Sequence, residues 1–141
     1  MNTKVFKLVS VVLSLLGIVV TFGFEIYASG GVISNTFHSV SGVLVTLWPF
    51  VPYGILLCAA SLFQSIHTRL TTMILAIMLV FFGIGIYADS LLVNLDPQGA
   101  LNFLFVPIYQ LGIIIVGYSI MASVAFVKTK KNEVSSQSAR E

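Results

Sequence analysis

Three carboxylates lie in or beside the apolar part of this chain: Glu25 in "GFEIYASG", Asp89 in "GIGIYADS" and Asp96 in "NLDPQGALN". No lysine or arginine occurs between Lys7 and Arg69, or between Arg69 and Lys128, so none of the three has a basic neighbour in sequence. A carboxylate in hydrocarbon is costly, so these acids are candidates for an ion or proton site as well as for a structural role. The groups able to hydrogen-bond these acids are His38, Tyr27, Tyr87, Tyr53, Tyr109 and Gln110, with Asn35, Asn94, Gln98 and Asn102 nearby in sequence.

Three chemistries are open to such a set. The acids can be structural: Asp96 before Pro97 suits a turn or helix cap, Asp89 can be solvated at an interface, and Glu25 can hydrogen-bond across a bundle. They can form a site for a cation or proton, since carboxylates without basic partners attract positive charge. They can bind a metal with His38, although one histidine at loose spacing is a weak ligand set; we assign neither metal nor cofactor. Catalytic signatures are missing. There is no HExxH, no CxxC and no phosphate loop, and the lone GxG at Gly83–Gly85 sits inside an apolar run, where close packing explains it. The single cysteine, Cys58, excludes a disulfide within the chain. No enzymatic activity is expected. Nucleic-acid binding is not expected either, because the few basic residues hug apolar segments and would meet anionic lipid.

The elements that position these residues follow from composition. The chain is 57% hydrophobic and 9% charged, against about 25% charged in soluble domains. A span of about 20 apolar residues crosses a bilayer, and four stretches qualify: residues 5–28, 48–66 (with a start as early as Val43 possible), 70–93 and 103–127. The expected fold is therefore all-α: a single domain over residues 1–127, a polytopic bundle of four transmembrane helices, followed by a disordered cytoplasmic tail at 128–141. His67, beside Arg69, reads as a loop residue. The first apolar run is longer than the 7 to 15 residues of a signal-peptide core, so it is expected to be retained as a helix. Lys4, Lys7, Arg69, Lys128, Lys130, Lys131 and Arg140 all fall on one side of a four-span layout. The positive-inside rule then puts both termini in the cytoplasm, in a bacterial inner (plasma) membrane.

The chain also repeats itself. Gly23, Ile26, Tyr27 and Ala28 align with Gly83, Ile86, Tyr87 and Ala88 at an offset of 60, and "FVPYG" at 50–54 aligns with "FVPIY" at 105–109. Such a repeat makes two like-oriented helical hairpins related by an axis along the membrane normal. Pro52 and Pro107 then fall near the outer start of returning helices, where a missing N–H is tolerated. Tyr27, Trp48, Tyr53, Tyr87 and Tyr109 form an interfacial belt, with Tyr118 set well inside the fourth span. In the first span Ser10, Ser14, Gly17, Thr21 and Glu25 share a helix face, and Gly54, Cys58, Ser61 and Ser65 do so in the second. Small residues let membrane helices approach closely, so both stripes read as a packing seam, with an oligomer interface open as an alternative. The expected function is a non-catalytic accessory, regulatory or immunity-type membrane protein acting through helix packing. Its partners are the lipid bilayer and either another membrane protein or further copies of itself. The alternative is a small oligomeric transporter or channel using Glu25 and Asp89. The third is an outward-facing binder of a lipid or small apolar ligand.

Overall fold

The computed structural model describes residues 3–29, 40–93 and 99–138, and among these there is no strand. The elements are α1 (Thr3–Ala28), α2 (Val40–Leu47), a 3-10 turn (Trp48–Phe50), α3 (Val51–Leu62), α4 (Ile66–Ala88), a π turn (Asp89–Val93) and α5 (Gly99–Ser138). Four stretches are long and apolar enough to cross a membrane: Lys4–Ala28, Val43–Leu62, Ile66–Val93 and Leu101–Val127. They make an all-α four-helix bundle and mark an integral membrane protein.

α1 packs chiefly on α4 and then on α3, while α5 packs on α4 and on the segment Trp48–Leu62. Around the bundle the spans therefore run first, second, fourth, third. Phe24 meets Tyr87, so the ends of α1 and α4 lie together, and Phe63 meets Tyr118, which pairs the end of α3 with the second half of α5. Lys4, Lys7 and Arg69 consequently sit at one end of the bundle, and Glu25 and Asp89 at the other. We call these the basic and acidic ends. The main core is Tyr53, Leu56, Leu75, Ala76, Leu79, Val80 and Ile114, with a smaller cluster of Tyr87, Phe103 and Val106 toward the acidic end. Large side chains such as Val19, Phe81 and Phe126 are exposed; on a membrane helix they face lipid, which is as apolar as they are.

Helix boundaries differ from expectation in three places, each for a local reason. α4 begins at Ile66, because Ser65 caps it: the Ser65 Oγ accepts from the Thr68 N–H at 3.1 Å. This puts His67 and Arg69 in the first helical turn instead of a loop. α5 continues to Ser138, so most of the segment expected to be disordered is helical. "KTKKNEVSSQS" contains neither glycine nor proline, and its lysines, glutamate and glutamine are good helix formers, so nothing stops the helix at Val127. The second span is the most consequential case. It starts at Val43, not Trp48, which moves Pro49 and Pro52 from its beginning to its middle. Neither proline can donate a backbone hydrogen bond, and the helix tightens there into the 3-10 turn between α2 and α3. Pro107 is likewise inside α5, not at its start. All three prolines are fully buried, as broken backbone in a membrane must be. Beside Pro107, the Trp48 Nε1–H donates to the Leu104 carbonyl at 3.0 Å.

Candidate functional site: a polar file through the bundle

The file begins on α1. Ser10, Ser14, Gly17 and Thr21 are buried on one face, with Glu25 one turn beyond Thr21. Gly17 makes room for an aromatic ring: a Cβ at this position would lie 2.6 Å from Tyr53 Cδ1 and 2.8 Å from Cζ. The ring crosses to α4, where Gly83 provides the matching gap; a Cβ there would lie 2.8 Å from Tyr53 Oη and 2.9 Å from Gln110 Nε2. The Tyr53 hydroxyl donates to the Leu79 carbonyl at 3.4 Å, and the Gln110 amide donates to Tyr53 Oη and to the same carbonyl, both at 3.1 Å. The Thr21 side chain of α1 is close enough to act on the Tyr53 hydroxyl as well. Four helices thus converge on one hydroxyl near the middle of their spans, and every member of this knot has a partner.

One turn toward the acidic end the accounting changes. Tyr87 is 1% exposed, stacked on Phe103 with centroids 4.7 Å apart and tilted against Phe24 at 5.8 Å. Its hydroxyl has no hydrogen-bond partner among the described residues, and neither has Oε2 of Glu25. The two groups are within electrostatic reach of each other. Buried polar groups are almost always paired, so two orphans in electrostatic reach of each other are a site in want of a ligand, a proton or a water. A third orphan, Ser14 Oγ, lies deeper.

From the basic end a second polar chain enters. Ser65 and Thr68 hydroxyls share a hydrogen bond of 2.6 Å, and Thr72 Oγ1 donates to the Thr68 carbonyl and is bonded to the Tyr118 hydroxyl at 2.7 Å. Leu56, Leu75, Ala76 and Ile114 of the core lie between this chain and the Tyr53 knot. On the α3, α4 and α5 side the interior is polar toward either end and apolar in between, while on the α1 side the buried Ser10 and Ser14 continue the polar face past that layer.

The structure brings Glu25, Tyr87, Tyr53 and Gln110 together and separates them from the other candidates. Asp89 is exposed at the end of α4, and Tyr27 and Tyr109 point outward. His38 and Asp96 lie outside the described residues. Tyr53 and Tyr87 are core groups, not members of an interfacial belt, because the longer second span and the inward turn of α4 carry them inside. The second stripe does not pack inward: Cys58, Ser61 and Ser65 are exposed and Gly54 faces open space. α3 instead buries Pro52, Tyr53, Leu56, Ala59 and Ala60, since the ring and Leu56 fill the gap against α1 and α4 and turn the small residues out. The hydroxyl pair Thr72–Tyr118 and the Gly83 gap were not foreseen as site features, although Tyr118 and Gly83 both stood out in sequence. Among the described residues no group of three metal-ligating side chains occurs.

The two buried tyrosines give opposite expectations. Tyr53→Phe removes a hydroxyl with partners and should lower stability by about 1 kcal/mol. Tyr87→Phe removes one without a partner and should leave stability unchanged or raise it by a similar amount. Detergent-titrated unfolding followed by circular dichroism reads both.

No protein-family model, curated protein or solved structure matches this chain.

Proposed function

We propose that the protein is a small membrane carrier for a proton or small cation, loaded at Glu25 from the acidic end of the bundle. The observation that carries this reading is that Glu25 Oε2 and Tyr87 Oη, within electrostatic reach of each other, are both buried without a hydrogen-bond partner among the described residues. An ionised carboxylate in that setting needs a counter-charge. The nearest basic residues in sequence, Lys7 and Arg69, belong to the opposite end, so the counter-charge must come from outside the chain. Two further features support the reading. The second span breaks into a 3-10 turn at its buried prolines, just before Tyr53 of the polar knot, and membrane carriers build binding sites at discontinuous helices of this kind. Apolar side chains of α3, α4 and α5 separate the two polar chains, and the buried hydroxyls of Ser10 and Ser14 on α1 give the polar continuity between them.

A second reading keeps the accessory role. Gly54, Cys58 and Ser61 line an exposed, small-residue face of α3 that another helix could approach closely. The occupant would be a second copy or another membrane protein. Liposomes reconstituted with the full chain and loaded with a pH-sensitive dye separate the two. A carrier dissipates an imposed proton, sodium or potassium gradient faster than empty vesicles do. Vesicles that hold all three gradients, together with a stoichiometric complex recovered from native membranes in mild detergent, would establish the accessory role instead.

A further inference from the structure

At the basic end α4 and α5 flank a cavity of about 560 Å³, which borders the outer members of the second polar chain, Ser65 and Thr68, and lies apart from the Glu25–Tyr87 site. Its size falls within the range of about 300–1,000 Å³ typical of ligand sites. The helices touch at its inner limit, where Gly117 lies so close to Leu75 that a Cβ would be 2.7 Å from Leu75 Cδ2. From there the walls are hydrocarbon: Ile74 and Met78 on α4, Ile120, Met121 and Val124 on α5. Every polar lining residue is at the other limit, in Ser65, His67, Thr68 and Thr71 around the start of α4. Arg69 is in the same helical turn, its Nε–H donating to the Phe63 carbonyl at 3.2 Å. The groove therefore runs from a hydroxyl-bearing rim with the Arg69 cation in the same helical turn to an apolar floor toward Met78, near the middle of the third span.

We propose that this groove seats one acyl chain of an anionic phospholipid, with the phosphate held at the rim. The polarity gradient is that of a lipid lying in its normal orientation, and the rim's charge selects an acidic headgroup over a zwitterionic one. Two methionines in the floor suit a flexible chain, since their own side chains adapt to irregular contacts. The site is at the opposite end from the aromatic-lined mouth expected for an apolar ligand, and it does not depend on Glu25.

The test uses the full chain in nanodiscs containing trace phosphatidylglycerol or phosphatidylcholine with a photoactivatable group at mid-chain. Cross-links are mapped by mass spectrometry. We expect labelling within residues 74–78 and 120–124, stronger for phosphatidylglycerol by about fivefold or more at low salt and converging at high salt. Ile120→Trp and Val124→Trp, each filling the groove from an exposed position, should abolish the labelling at an unchanged helical circular-dichroism signal. Equal labelling by both lipids in the wild-type protein, or labelling that persists in a folded groove-filling variant, would mean ordinary boundary lipid only and would overturn the proposal. The headgroup comparison needs no variant, so it decides the matter even if the tryptophan proteins fail to fold.

Discussion

Gly17→Ala is expected to destabilise the bundle by about 3 kcal/mol, whereas Gly23→Ala, six residues along the same helix, is expected to leave it unchanged or stabilise it by up to about 1 kcal/mol. The two substitutions add the same methyl group to the same helix. At Gly17 that methyl would occupy the edge of the Tyr53 ring; at Gly23 it meets nothing within 4 Å. The ring has no easy retreat, because its hydroxyl is tied to Leu79 and Gln110 and its other side is walled by the core. Overpacking of this kind costs about 1–3 kcal/mol, and a displaced ring also gives up a hydrogen bond worth about 1 kcal/mol. At Gly23 only helix propensity is left, and it favours alanine. Detergent-titrated unfolding of the two variants beside the wild-type protein measures the contrast. Equal stabilities would mean that the Tyr53 ring does not lie against α1, and the polar knot would have to be abandoned with it.

That contrast also shows what could be read in advance. Hydropathy alone locates the four spans, since an apolar run of that length has few other uses. The seam on α1 is legible too, because Ser10, Ser14, Gly17 and Thr21 recur at helical spacing and are buried on one face. The same logic fails on α3. Gly54, Cys58 and Ser61 have the same spacing and the same residue types, yet they face outward. Periodicity identifies a face without saying which way it turns; bulk decides that, and Tyr53 and Leu56 outweigh the small stripe. The repeat misleads in a related manner. Tyr27 and Tyr87 align in sequence, but one is exposed and the other is enclosed by Phe24 and Phe103. Gly23 and Gly83 align as well, and only Gly83 receives a neighbour's side chain. Each aligned pair sits on helices with different neighbours, so similar words acquire different surroundings. Proline position was the remaining obstacle. Pro52 reads as a helix start because that is where proline is harmless. Only the contacts around Trp48–Phe50 show it at mid-span, and with it the inward placement of Tyr53.

Glu25→Gln is expected to abolish carrier activity, lowering the initial rate of gradient dissipation by about tenfold or more, while raising the stability of the bundle by about 1 kcal/mol. The opposite signs are what make the experiment informative. The amide is nearly isosteric with the carboxyl and carries no charge at any pH. It removes the penalty of placing an ionisable group against hydrocarbon, which is about 2.5–3.5 kcal/mol for Asp, Arg or Lys at a helix centre and smaller near an end, where Glu25 lies. It also removes the ability to take up and release a proton or to neutralise a cation. A residue retained at a cost to stability and needed for transport is a functional group. One whose loss costs stability and leaves transport intact is a structural hydrogen-bonding anchor, and that pair of results would turn the argument to the accessory reading and to the outward face of α3. Tyr27→Phe serves as the control: two residues beyond Glu25, about half a helical turn, its ring is exposed on the outside of the bundle, so neither quantity should move. If Tyr27→Phe slows transport as much as Glu25→Gln does, the cation enters along the outside of α1, and the route through the interior past Tyr87 is excluded.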